Sequence, residues 1–278
     1  MSLYVRPASL PEAMAALAAR PYSVLAGGTD FYPARVGRPV GEDLLDITGI
    51  AELRGVREEA ECWHIGALAT WTDLIGAPLP AYFAGLQGAA REVGGVQIQN
   101  TGTLAGNVCN ASPAADGVPA LLALDAQVQL TGQQGVRSLP LAAFLLANRK
   151  TARKPDELVT GLRVPKWPAG TRADFFKLGS RKYLVISIAM VSTVIAVDEN
   201  GAISRCGIAV GACSAVAQRL PALEQKLAGK RLSPDLANLV APGDLQPLTP
   251  IADVRGTPEY RIDAVQTLLK RALLRIAA

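Results

Sequence analysis

The apolar positions change period repeatedly along the 278 residues, and each change predicts an element. Ser9-Leu10-Pro11-Glu12 has the form of a capping box, with Ser9 placed to cap a helix and Glu12 placed to reach back. That helix is predicted through AMAALAA and should stop at Arg20-Pro21. The short apolar runs YSVLA (22–26) and DLLDIT (43–48) predict buried strands. From Trp63, the run WHIGALATWTDLI predicts a strand and then a short helix capped by Thr70 or Thr72. Pro80 to Val93 is helical in composition, and Gly94-Gly95 should end it. GVPALLALDAQVQL passes from helical to strand periodicity, with Gln127 and Gln129 alternating against Val128 and Leu130. LAAFLLA (141–147) predicts a short helix, and DELVTGLRVP (156–165) a strand ended by Pro165.

PKWPAG (165–170) is the best candidate boundary. Beyond it, ADFFKLGSRK, YLVISIAMVSTVIAVD and AISRCGIAVGAC read as three strands, and Asn200-Gly201 is a strong hairpin signal. Helical stretches are predicted at 215–228, 233–240 and 258–276, the last with Ile262, Val265, Leu269 and Leu273 on one face. A three-stranded antiparallel sheet covered by helices is therefore expected. The most apolar run, Tyr183 to Val197, is short for a membrane span and contains Ser187, Ser192 and Thr193. It reads as a buried strand, so no integral membrane segment is predicted.

Two stretches fit neither period. Gln97 to Asp116, QIQNTGTLAGNVCNASPAAD, is crowded with Gly, Asn, Thr and Ser and carries a charge only at its last position. Gly102 and Gly106 there allow close approach and positive φ, and successive N–H groups in such turns form nests for anions. A Gly/Asn-rich surface loop is the plainer alternative. The second stretch, Val24-Leu25-Ala26-Gly27-Gly28-Thr29-Asp30, follows an apolar run as a phosphate-binding turn follows a strand. Neither matches the Rossmann or P-loop pattern. Together they can clamp the two phosphates of a dinucleotide.

Composition narrows the function. A makeup of 50% hydrophobic and 19% charged residues belongs to a globular protein with a real core, largely Ala, Leu and Val since aromatics are 5%. A net charge of +4 is too mild to imply nucleic acid, and no RRM, helix-turn-helix or zinc-finger pattern is present. Pro7, Pro11 and Glu12 interrupt the amino terminus, which does not read as a signal peptide, so a cytoplasmic location is expected. Cys62, Cys109, Cys206 and Cys213 have no CxxC spacing, and the single histidine, His64, reads as structural. Arg149 to Lys182 holds ten Lys/Arg against three Asp/Glu, which is either a solvated face or a docking surface for an acidic partner or anionic acceptor. Arg35 and Arg38, just past the first loop, can face a phosphate or solvent.

AGGTD (26–30), TLAGNVCNASPAAD (103–116) and FFKLGSRK (175–182), in this order and spacing, together resemble the FAD-binding subunit of the molybdenum hydroxylases. That family includes the medium subunit of aerobic carbon monoxide dehydrogenase and the flavin domain of xanthine dehydrogenase. The resemblance covers nearly the whole chain. It implies an α+β fold: a two-subdomain FAD-binding domain of the vanillyl-alcohol oxidase/PCMH type (1–168, subdomains about 1–53 and 54–168) and a C-terminal flavoprotein domain (169–278). It also implies that Leu25, Ala26, Gly27, Gly28, Thr29, Asp30 and Phe31, with Thr103, Leu104, Ala105, Gly106 and Asn107, hold the FAD pyrophosphate, chiefly by backbone N–H groups, with hydroxyl bonds from Thr103 and Ser112. Asp116 suits a ribityl or ribose hydroxyl, or else caps the helix that follows. Val159 and Ile186 fall where the family touches the flavin ring, and Lys177 aligns with a lysine near it, where a cation would raise the flavin's potential. Ala105 departs from the family, which usually has glycine there; a positive φ at that position would cost alanine roughly 1–2 kcal/mol.

No residue reads as a nucleophile or general base, as suits an electron relay. By resemblance, substrate is oxidised at a molybdenum–pterin cofactor on a large subunit, electrons pass through [2Fe–2S] clusters on a small subunit, and FAD delivers them to NAD+, oxygen, a quinone or another acceptor. The partners would be separate polypeptides in a heterotrimer, or a dimer of heterotrimers. A self-sufficient flavoenzyme of the same flavin fold and a non-catalytic nucleotide-binding module are the competing readings.

Overall fold

A computed structural model of the chain describes residues 2–278. In the amino-terminal part, β1 (Tyr4–Val5), α1 (Leu10–Ala19), β2 (Ser23–Leu25) and β3 (Leu44–Asp46) form a small parallel sheet in the order β1-β3-β2 with one helix. The Ser9 hydroxyl caps α1 by accepting from the Glu12 N–H, whereas the Glu12 carboxylate reaches one residue further than expected, to the Ala8 N–H. β4 (Val56–Glu58) and β5 (Cys62–Gly66) follow, and then α2 (Trp71–Gly76), closed by a full capping box of Thr70 and Asp73.

Next come α3 (Ala84–Glu92), α4 (Val96–Thr101), α5 (Leu104–Asn110) and α6 (Gly117–Ala123). The Gly/Asn-rich stretch from 97 is thus mostly two short helices, not a nest of turns. Gly102 has an extended φ of −65°, and Gly106 lies inside α5. Composition misled at α5 because a helix of this length is stabilised by its cap, here the Thr103 hydroxyl, and by the core beneath it rather than by propensity; α4 has neither a side-chain cap nor a buried residue. Leu104, Ala105 and Val108 of α5 are buried.

The chain then forms β6 (Gln127–Gly132), β7 (Gly135–Pro140), α7 (Leu141–Phe144), β8 (Leu145–Ala147), β9 (Lys150–Thr151) and β10 (Leu158–Pro165). The predicted helix at 141–147 ends after one turn and its second half pairs as β8 with β9. A five-stranded sheet runs β4-β5-β10-β6-β7, antiparallel throughout.

The C-terminal sheet has four strands rather than the three expected. β11 (Arg172–Leu178), β12 (Ala189–Val197) and β13 (Ile203–Gly211) are joined at the edge by β14 (Gln218–Arg219), which lies where a helix was predicted to start. β12 begins six residues later than the apolar run does: Tyr183, Leu184 and Ile186 are exposed, and Leu184 has a left-handed φ of 51°. α8 (Pro221–Leu227), 3₁₀ turns at Pro234–Leu239 and Pro242–Leu245, and α9 (Pro258–Ala277) complete the chain.

Alternation along β12 gives this sheet two buried faces. Met190, Val194 and Ala196 join the core shared with α3, α6 and the five-stranded sheet, while Ala189, Val191 and Ile195 join a second core under α8 and α9. The C-terminal sheet is therefore fixed against the amino-terminal part, and its front edge meets the end of α6. No helix among the described residues is long and apolar enough to cross a membrane.

Candidate functional site

The two glycine-containing stretches meet. β2 delivers Ala26-Gly27-Gly28-Thr29 to the gap between α4 and α5. A Cβ on Gly27 would be driven into the Thr101 carbonyl oxygen, and one on Gly102 would stand 3.1 Å from the Thr29 hydroxyl. The peptides of the two stretches lie against each other, which only glycine permits. Gly28 turns the chain with φ 68°. Trp71, 2% exposed, forms the floor: its ring lies beneath both Gly102 and Gly117.

Backbone donors line this junction. Among the described residues, no protein atom accepts from the N–H groups of Gly27 through Phe31. At the start of α5 the Thr103 hydroxyl accepts from the Gly106 N–H (2.9 Å) and Leu104 N–H donates to Ala69, leaving the Ala105 N–H free of a protein acceptor. Open N–H groups on a small-residue cradle fit a pyrophosphate, which needs close backbone approach and many donors. Ala105 is helical and buried, so the expected strain of a positive φ does not arise.

Asp116 sits at the start of α6 but caps nothing. Its carboxylate instead accepts from Lys177 Nζ (2.6 Å) and from the Ser187 hydroxyl (2.6 Å). Lys177 also donates to the Glu92 carbonyl at 3.2 Å. Both charged side chains are nearly enclosed, at 6% and 8% exposure. Burial pushes the Asp116 carboxyl above its ordinary range, opposed by the Lys177 charge and the two hydrogen bonds. Lys177 is thus a partner in a buried ion pair, which changes the expectation that it acts as a free cation near the ring.

The other predicted positions divide. Ser112 lies on the turn before Asp116 and its hydroxyl accepts from the Ala114 N–H at 3.3 Å. Ile186 is exposed and directly precedes Ser187 in the chain. Val159 is enclosed in the core on β10, opposite Leu130. Asp30 is exposed and 3.5 Å from Arg149, while Asn107 accepts from the Gly117 N–H and braces α6. Arg35 pairs with Glu42 and stacks over the Phe31 ring on a partly exposed surface, in keeping with a solvated rather than a phosphate-facing role. The basic stretch is not one face: Arg163 and Lys166 pair with Glu59 and Glu58, Arg153 binds the Glu157 carbonyl, and Lys177 is buried. Trp71, Ser187 and the Thr101 carbonyl were not foreseen. Trp71 carries a signal, a large aromatic one residue past an N-cap, but the contact of Ser187 with Asp116 spans a separation that no local pattern reports.

Comparison with known proteins agrees with this geometry. The model of the FAD binding domain in molybdopterin dehydrogenase matches residues 1–167, and that of the CO dehydrogenase flavoprotein C-terminal domain matches residues 174–276. The chain is 31% identical to the carbon monoxide dehydrogenase medium chain of Hydrogenophaga pseudoflava, over 97% of this chain and 95% of that one. It is 30% identical to the nicotinate dehydrogenase FAD-subunit of Eubacterium barkeri, over 92% and 88% respectively. The solved structure of a Cu,Mo-CO dehydrogenase superposes with a TM-score of 0.88 at 29% identity, covering 99% of this chain and 97% of that one. Two glycine stretches packed into one donor-lined junction, on a fold shared over the full length, make this chain a member of the FAD-binding medium-subunit family of the carbon monoxide dehydrogenase and xanthine dehydrogenase type.

Proposed function

We propose that the chain is the FAD-binding electron-transfer subunit of a heterotrimeric molybdenum hydroxylase, taking electrons from [2Fe–2S] clusters on a small subunit and passing them to an external acceptor. The observation that carries this reading is the junction of Gly27 and Gly28 with Thr101 to Gly106, where the N–H groups of Gly27 to Phe31 and of Ala105 lack protein acceptors. The relatives support it, being named as medium chains and FAD-subunits of dehydrogenases. A large molybdopterin subunit, assembly as a dimer of heterotrimers, a cytoplasmic location, a PCMH-type flavin domain and a boundary near residue 168 belong to the same proposal.

When bound, FAD supplies exchange between one-electron and two-electron carriers. The chain's own part is to bind, orient and screen. Residues 25–31 and 103–107 would hold the pyrophosphate, with the N–H groups of Gly27 to Phe31 and of Ala105 as the open donors, and Ser112 would add a hydroxyl. Asp116 retains acceptor capacity beyond its bonds to Lys177 and Ser187 and takes a ribityl hydroxyl. Lys177 fixes that carboxylate. Because the pair is close to neutral, its effect on the flavin's potential is smaller than that of an isolated cation. Val159 and Ile186 are assigned to the ring region.

The test is the flavin content of the purified chain. One FAD per chain, released intact by acid precipitation, is expected. A chain that takes up no FAD at micromolar concentrations would overturn the proposal.

A further inference from the structure

We infer that Arg261 is a positioning residue for the flavin cradle, holding the 111–116 turn in place from the far side of the C-terminal sheet. Arg261 lies on α9 and is 1% exposed. Its Nη1 donates to the carbonyl oxygens of Ile188 (2.5 Å) and Ala212 (3.0 Å), and its Nη2 to Asp253 Oδ1 (2.6 Å). A buried guanidinium needs its charge matched, and here Asp253 supplies the carboxylate and two carbonyls accept from Nη1, while Nε has no protein acceptor.

The two carbonyls belong to the segments that touch the cradle. Ile188 and Ala212 stand just outside the paired ends of β12 and β13, where Met190 faces Gly211. Next to Ile188, the Ser187 hydroxyl donates to Asp116. Ala212 itself donates its N–H to the Pro113 carbonyl at 2.9 Å. Ala212 also holds a left-handed φ of 62°, a conformation disfavoured for alanine, which persists where neighbouring bonds over-determine it. One nitrogen, Nη1, therefore grips two strand ends while Nη2 is anchored on Asp253, and each strand end grips the turn carrying Ser112 and Asp116. Arg261 acts through Ser187 and Ala212 and touches no cofactor-binding group itself. A lysine ammonium can at best stand in for Nη1 at the carbonyls and lacks the second nitrogen that holds Asp253.

This inference rests on the reading that the cradle holds FAD, and the experiment separates the two. FAD is titrated by fluorescence into the full-length apo chain in the wild type, Arg261→Lys, Arg261→Met, Ser187→Ala, Asp116→Ala and Leu269→Ala, at a temperature where circular dichroism shows each variant folded. Leu269 is a buried α9 residue in the second core, so its truncation lowers stability without touching the cradle. The expected result is a tenfold or greater loss of FAD affinity in Arg261→Met, a smaller loss in Arg261→Lys, and a change within twofold in Leu269→Ala. Ser187→Ala combined with Arg261→Lys should lose less than the product of the single losses. Should Arg261→Met fail to fold, Arg261→Lys and the double variant decide. Affinity within twofold of wild type in the Arg261 variants, beside a weakened Asp116→Ala, overturns the inference alone, as does an equal loss in Leu269→Ala. Unchanged affinity in Asp116→Ala overturns the cradle reading and this inference with it.

Discussion

Gly27 has no room for a side chain because the Thr101 carbonyl fills the space a Cβ would take, and neither backbone segment can yield without opening the cradle. Gly106 differs: a Cβ there meets only the Thr103 hydroxyl, at 2.8 Å. Gly27→Ala should therefore weaken FAD binding by about 1.4 kcal/mol or more, a factor of ten, and Gly106→Ala by much less. Equal affinities by titration would remove the steric argument. Lys177 carries a second residue-scale expectation. Lys177→Met leaves the Asp116 carboxylate buried without its counter-charge, and breaking such a pair costs about 3–5 kcal/mol. Urea unfolding of the apo chain should show that loss, partly restored when Asp116→Asn is added; a Lys177→Met variant of wild-type stability would contradict the buried pair. The glycines and Asp116 were legible in the sequence because residue type signals their chemistry. The partner of Asp116 was not, since Lys177 and Ser187 lie 61 and 71 residues away in sequence.

At the scale of elements, β5 and β10 show how a lone histidine becomes structural. His64 on β5 fits beneath Gly161 of β10, where a Cβ would stand 2.5 Å from its Nε2. Burial, then the nearby Arg57 charge, holds its pKa below the ordinary value. A base depressed in the folded state keeps its full contribution above its unfolded pKa of about 6.5 and loses it as pH falls below that. Stability should accordingly decline with acidification below that value more steeply in the wild type than in His64→Leu. Parallel pH profiles of the two would refute the assignment. Strands and long helices with clear alternation, such as β6, β12 and α9, were legible. The stretch from 97 was not, because α4 and α5 are short helices of poor formers; α5 is held by its Thr103 cap and by burial, while α4 has no side-chain cap and no buried residue. Nor was the exposed segment before β12, where an apolar run reads as strand although Leu184 turns left-handed.

At the scale of the molecule, the C-terminal sheet is shared by two cores, so the proposed flavin cradle would be assembled from both parts of the chain: glycine stretches from one, Lys177 and Ser187 from the other. Sequence order indicated two parts, but interlocking through a two-faced sheet became visible only in three dimensions. The most direct test is anaerobic stopped-flow absorbance of the FAD-loaded chain mixed with the organic substrate of its assembled complex, alone and after reconstitution with the molybdopterin and iron–sulfur subunits. The flavin should remain oxidised in the isolated chain and bleach within the turnover time of the complex after reconstitution. Bleaching at the full rate by the isolated chain would contradict the relay and identify a self-sufficient flavoenzyme.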